Sequence, residues 1–481
     1  MKINNKLFLG LLIVIIIFGA VLIVLSTNFL NEPIVVESEA KDLEVTVYNQ
    51  NLGVVKECRS VFLYKGLNEV LYKDVASRID PTSVMLKSTN SSINVLEQNY
   101  QYDLINTEKI LQKYVDKNIT AYRIYGDKKE KVEGTLLSFS GDELILQDTD
   151  GRIQTLSSDN LMLPEIPEGL ITKPTLQWLI SAGETKNNTL ELSYMTSGMN
   201  WKANYVIVIN ANDTNLDLNG WVTVTNNAGT TFKDASLKLV AGDVNRVTAQ
   251  DFAYDYLEEK SYAPRAASAP QFAEEALFEY HIYDLQRKTT LKNNEQKQIS
   301  LLEAANVVVE KEYVYDDIKN WWWYGSKYQS TGDKKIAVML NFKNSKENNI
   351  GIPLPSGVMR VFKEDSEEKL QFVGEDSIDH TPKDETLRIL MGQAFDLMGE
   401  RKQRDFNILD NWYEYEWAVN LRNHKDEDII VTVIERTGGD WEIIEENYKS
   451  SKESNNEIKW RIPVKSNGES TLKYKIRYKR G

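Results

Sequence analysis

Side chains able to act as bases, nucleophiles or metal ligands are sparse in this chain: 3 histidines and 1 cysteine among 481 residues. His281 falls mid-strand in the Phe278–Tyr283 pattern, His424 at a hairpin tip, and His380 in an acidic loop with Asp376, Asp379 and Asp384. No two histidines stand four apart on a helix, and one cysteine cannot build a structural zinc site. The loop around His380 offers oxygen ligands of the kind Ca²⁺ takes, but not the regular Asp spacing with a central glycine that a calcium loop uses. It therefore reads first as a solvated loop. Ser197-Gly198 and Ser356-Gly357 are ordinary turns without the strained serine of a G-x-S-x-G elbow, and no phosphate-binding glycine loop is present. A carboxylate pair for glycoside hydrolysis cannot be read off a chain with 71 acidic residues, since spacing in sequence does not report separation in space. Cofactor and metal ligands are accordingly not expected.

The residues that stand out are aromatic. Trp321, Trp322, Trp323 and Tyr324 run together, flanked by Tyr313, Tyr315 and Tyr328. Side chains alternate across a strand, so one sheet core cannot take all three tryptophans. Three readings stay open: packing over a sandwich edge, a contact surface for glycan or protein, and a dip into a membrane interface.

The elements that must position these groups read as strands. Leu43, Val45 and Val47 share one face of Leu43–Tyr48, and period-two segments with turn signals recur to Tyr478. One short helix is expected, capped at Asn106 or Thr107, with Ile110, Leu111, Tyr114 and Val115 on one side. Four strands follow it, joined by Gly126-Asp127, Ser140-Gly141-Asp142 and Asp150-Gly151, as in a small closed Sm-like barrel. The fold class expected is mainly β: Ig-like β-sandwich modules plus that barrel and one N-terminal transmembrane helix. The domains expected are a signal-anchor over 1–26, a tether over 27–42, an N-terminal β region over 43–105, the barrel over 106–168 and a sandwich region over 176–481. A mobile insertion over 248–276 is expected from its prolines and its Ala/Ser cluster.

The anchor is Leu7–Leu25, 19 residues without a charge, roughly 28 Å as a helix and so about a bilayer core. Lys2 and Lys6 precede it and keep that end cytoplasmic, placing the rest outside. A cleavable signal peptide is the rival reading; its apolar core is usually shorter and ends in an A-x-A-like site, whereas this run ends Val24-Leu25-Ser26. Without Lys2 and Lys6 the remainder has 55 basic against 71 acidic residues, a net −16, which opposes nucleic acid and anionic lipid as partners. The lone Cys58 excludes an intramolecular disulfide and reads as an inert thiol in a strand; an interchain bridge is the weaker reading. N-x-S/T acceptors at Asn90, Asn118, Asn187 and Asn212 matter only in a glycosylating host.

A series of segments also carries a resemblance. Met199-Asn200-Trp201-Lys202-Ala203, Trp221-Val222-Thr223-Val224-Thr225-Asn226-Asn227 and Leu237–Asp243 are followed far downstream by Asn420–Lys425, Val433-Ile434-Glu435, Gly439–Ile443 and Tyr474–Tyr478. The series resembles the family called domain of unknown function 4139, which includes mucoidy-inhibitor-like proteins, over about residues 170–481, with Val45–Ser83 as its upstream part. Lys202-Ala203 stands where many members carry a proline after the tryptophan. The resemblance implies a β-rich fold and brings no catalytic residues. Placement and composition together suggest a non-catalytic cell-envelope module, structural, adhesive or interacting with an envelope protein or glycan; an envelope hydrolase acting on polysaccharide or peptide is the alternative.

Overall fold

The structure is a computed structural model describing residues 32–125, 128–167, 169–242, 244, 271–277, 280–316, 331–367, 369–454 and 456–479. The chain is mainly β, arranged in several sheets, with one α-helix, Thr107–Tyr114, among the described residues. Strict alternation makes the strands: in Met199–Ile209 every odd-numbered residue is buried and every even one faces outward. The helix is capped by the Asn106 side chain, which accepts from the Lys109 amide, and it buries Leu111 and Tyr114.

Three sheets share one core. The largest runs Phe272–Leu277, Tyr280–Leu285, Phe232–Ala241, Lys41–Tyr48, Leu52–Leu63, Lys186–Thr196 and Met85–Ser88, with Thr289–Leu291 beside Phe232–Ala241. A five-stranded sheet runs Glu295–Val308, Asn215–Asn226, Met199–Ile209, Gly357–Glu364 and Leu370–Ile378, and a four-stranded one Ile34–Val36, Gly66–Lys73, Thr175–Ala182 and Ile93–Gln101. Val45 and Val47 of the first, Tyr205 and Ile207 of the second, and Val70 and Trp178 of the third pack into a single cluster, a sandwich-like arrangement. The divide expected between 43–105 and 176–481 is not a divide in this core. Lys41–Tyr48 pairs in parallel with Phe232–Ala241, and Leu52–Leu63 pairs with Lys186–Thr196, because each needs a neighbour for its backbone hydrogen bonds wherever in the chain that neighbour lies.

Residues 106–168 form an excursion with its own core. Ile93–Gln101 and Thr175–Ala182, on either side of it, are paired neighbours, so the chain leaves and returns at one edge. Its sheet runs Ile153–Ser157, Glu143–Asp148, Lys128–Ser140, Asn118–Tyr125 and Leu161–Met162, around Leu136, Leu144, Leu146 and Tyr114. The two outermost strands are joined in sequence by the single turn Ser158–Asn160.

The nine-stranded C-terminal sheet curls about a second core of Val431, Trp460, Leu472 and Tyr474. Its long strands Thr331–Lys343 and Thr386–Leu409 tie the cores together: Leu340, Phe342, Leu387 and Ile389 pack into the first, Ile336, Ala394 and Leu397 into the second. Between them the register slips, and Gly392 takes φ +131°, a backbone that side chains disfavour.

Among the described residues no helix is long and apolar enough to cross a membrane; the expected anchor Leu7–Leu25 lies outside them. So do Trp321, Trp322, Trp323 and Tyr324, and most of the insertion expected over 248–276. The end of that insertion is corrected: Phe272–Leu277 is a strand antiparallel to Tyr280–Leu285, and Phe272 is buried. A composition poor in apolar residues does not foresee a strand that gains its stability from pairing and from one well-buried ring.

Candidate functional site

The outward residues of the five-stranded sheet make a polar groove rather than a plain solvated face. Asn200, Lys202, Asn204 and Val206 come from Met199–Ile209, Trp221, Thr223 and Thr225 from Asn215–Asn226, Gln296 and Gln298 from Glu295–Val308, and Arg360 from Gly357–Glu364. The groove holds about 590 Å³, within the roughly 300–1,000 Å³ usual for ligand sites. Register sets the layout: Asn204 lies opposite Trp221, Lys202 opposite Thr223, and Thr223 opposite Gln298. The Asn204 amide donates to Thr223 Oγ1 at 3.1 Å, and Arg360 Nε to Glu375 at 3.1 Å. Trp221 is 40% exposed, a large ring in the polar register of a strand whose inward face is Leu218, Val222 and Val224.

Past Lys202 and Asn204 the groove continues to a hollow lined by Asn49, Ser356, Gly357, Ser377 and His380. Its floor is rigid. Tyr205 donates to the Pro355 carbonyl at 2.7 Å and Tyr283 to that of Pro353 at 3.0 Å; burial, and then each hydroxyl's neighbouring charges, push both tyrosines far above their ordinary pKa, so they stay donors. A Cβ at Gly357 would strike the Ala203 carbonyl, so glycine permits the close parallel pairing there. The side-chain oxygens of Asn49 and Asn200 are shielded from solvent with no hydrogen-bond partner among the described residues.

The structure brings Ser356 and His380 together without making a dyad. The Ser356 amide donates to His380 Nδ1 at 3.2 Å, which in the neutral ring leaves the proton on Nε2, 3.4 Å from Ser356 Oγ. That nitrogen is then a donor to the hydroxyl, not its base. Asp376, Asp379 and Asp384 do not converge. Asp376 accepts the Ser377 and Leu390 amides, and Asp384 sits at φ +66° with its amide on the Asn344 carbonyl. Among the described residues no three His, Cys, Asp or Glu groups are placed to hold a metal ion. His281 pairs with Glu274 at 2.7 Å across the Phe272–Leu277 hairpin, and the His424 amide bonds the Asp396 carbonyl at 2.9 Å; neither approaches the groove. Cys58 is half-buried, and burial followed by the charge of Glu191 raises its thiol, which keeps it protonated and unreactive.

The C-terminal sheet supplies an internal control. Asn215–Asn226 and Trp412–Asn423 are both 12-residue strands ending in a buried asparagine. Asn226 lies opposite Met199 and Asn423 opposite Leu397, which makes Ala418 the counterpart of Trp221, Glu400 of Lys202 and Lys402 of Asn204. A strand in this frame therefore does not require an outward tryptophan. Sequence reasoning singled out the Trp321–Tyr324 run and passed over Trp221, although the alternation that buries Val222 and Val224 already turns Trp221 outward.

What this arrangement can do is bind: an exposed ring to stack on, amides and hydroxyls to hydrogen-bond and, among the described residues, one ammonium without an ion pair and no placed general base or nucleophile. Set against protein-family models and curated proteins, the chain matches none of either.

Proposed function

We propose that this protein is a membrane-anchored, extracytoplasmic, non-catalytic binding module of the cell envelope, which presents the groove of its five-stranded sheet to a glycan. Trp221 carries the reading: a half-exposed indole among Asn200, Asn204, Thr223, Gln296 and Gln298 is what a sugar ring needs, an apolar face for its C–H side and amides for its hydroxyls. Leu7–Leu25 after Lys2 and Lys6 supports the anchor and its orientation. In this reading the sandwich-like regions are Ig-like modules, and residues 106–168 are an Sm-like barrel closed where Ile153–Ser157 runs through Ser158–Asn160 into Leu161–Met162. The segments around Trp201, Trp221 and Asn423 support kinship with the domain of unknown function 4139 family.

The test is affinity electrophoresis of the detergent-solubilised full-length chain against a panel of neutral and acidic polysaccharides. At least one polymer should retard the wild type, and Trp221→Ala should weaken that binding about tenfold, the size of one lost stacking contact. Retardation by no polymer, or equal retardation of the variant, would sink the proposal.

A further inference from the structure

Resting on the glycan reading, we infer that the groove takes an acidic polysaccharide, a polymer of carboxylate-bearing sugars, with Lys202 as the residue that receives the carboxylate. The chain carries a net −14, yet the ten residues lining the groove include Lys202 and Arg360 and no acid. Arg360 is engaged by Glu375 at 3.1 Å, while Lys202 is exposed and has no ion pair among the described residues. The internal control sharpens the point. In the C-terminal sheet the counterpart of Lys202 is Glu400, which holds Lys402 at 2.7 Å, so that face neutralises itself. Here the partnering positions are Lys202 and Asn204, and the cation is left for something outside the chain. The protein's net negative charge does not forbid this, because charges on the rest of the surface are screened beyond about 8 Å at physiological salt, whereas a carboxylate on Lys202 is in contact. A ring on Trp221 puts its substituents within reach of the neighbouring strand, where Asn204 lies opposite the indole and Lys202 two residues on. Around the indole, Thr223, Gln296 and Gln298 line the same groove and carry hydroxyl and amide groups that can donate to or accept from sugar hydroxyls.

The probe is polygalacturonate compared with its methyl ester, which keeps every ring and hydroxyl and removes only the charge. The full-length wild type should bind the acid form about fivefold more tightly than the ester, as expected for one exposed ion pair. Lys202→Gln should abolish that preference, so that acid and ester bind alike, and Trp221→Ala should weaken both polymers while keeping the preference between them. Equal affinity of the wild type for acid and ester, with Trp221→Ala still weakening both, would overturn the acidic ligand and leave the glycan site standing. A preference that survives in Lys202→Gln would also overturn it, since the carboxylate would then be received elsewhere. Binding to neither form, nor to any neutral polysaccharide, would remove the site itself.

Discussion

The strands Asn215–Asn226 and Trp412–Asn423 are built to one plan and finished differently. Each ends in an asparagine that is 1% exposed and whose amide stitches a turn shut. Asn226 donates to the carbonyls of Thr230, Leu291 and Lys292 and accepts the Ala228 amide; Asn423 donates to those of Glu427, Val464 and Lys465 and accepts the Lys425 amide. The spacings i+2 and i+4 are the same in both. A carboxamide offers two N–H donors and an acceptor oxygen at once, which a hydroxyl with its single proton does not. The inward faces follow suit, with Val222 and Val224 matched by Val419 and Leu421. The outward faces diverge: Trp221 against Ala418, and Lys202 against an internally paired Glu400. Frame residues are held by what they must satisfy inside, so a difference confined to the outer face marks what the fold leaves open for use.

Breaking the shared frame should have the largest effect. Asn226→Ala and Asn423→Ala each strip buried carbonyls of a donor, and each should cost roughly 3–5 kcal/mol in denaturant unfolding. Asn→Asp at either site should cost more, since it turns a carboxylate toward those same carbonyls. A cost at one position and not the other would show that the two strands are not built alike.

Each core also buries an arginine with a glutamate, and here too the regions differ. In the second, Arg401 meets Glu435 at 2.8 Å and the Tyr474 hydroxyl at 3.0 Å; Tyr474 donates to Glu435 at 2.7 Å, and the guanidinium lies 3.8 Å over the Trp417 ring. In the first, Arg59 meets Glu57 at 3.0 Å on its own strand, donates to the Lys73 carbonyl and lies 4.2 Å over Tyr72. Arg401→Met strands a glutamate held from two sides and should cost about 3–4 kcal/mol, and Arg59→Met somewhat less. Calorimetry of the two variants under one buffer gives the order; the reverse order would break the contrast.

A smaller effect is a matter of pH. Burial raises Glu57 above its ordinary value, outweighing the charge of Arg59. The folded state therefore holds that proton more tightly than the unfolded chain does. The resulting stability is fully present below about pH 4.5 and is lost as pH rises through the folded value. Asp213 runs the other way. Burial opposes its ionisation, but hydrogen bonds from Lys311 and Lys363, 2.6 Å each, prevail and hold it low. Its stability is present above about pH 3.8 and lost as pH falls through the folded value. The stability difference between wild type and Glu57→Gln should thus shrink as pH rises from 4.5, and that between wild type and Asp213→Asn should shrink as pH falls below 4. Parallel pH profiles for the two would contradict these assignments.

Least of all should the outer face matter to folding. Trp221→Ala, and Ala418→Trp in the other sheet, should each shift stability by no more than about 1 kcal/mol. A Trp221→Ala chain that unfolds at 25 °C would make the indole a structural residue and remove the reason to read it as a ligand platform.

By itself the sequence determined the strand-rich fold, one short helix capped at Asn106 or Thr107, the turn at Asp150-Gly151 and the buried face of Leu43–Tyr48, because period two and turn chemistry are local properties of a few residues. The alternation of Asn215–Asn226 turns Trp221 outward, a reading that sequence reasoning passed over because one tryptophan in a polar register attracts less notice than three in a row. Which strand lies beside which was decided only in three dimensions. Every strand offers the same backbone donors and acceptors, so nothing in Lys41–Tyr48 names Phe232–Ala241, some 190 residues on, as its parallel neighbour. The groove inherits that indeterminacy: Lys202, Thr223, Gln298 and Arg360 come from four strands, and only the pairing of those strands sets the Lys202 ammonium, the exposed Trp221 indole and a row of amides side by side.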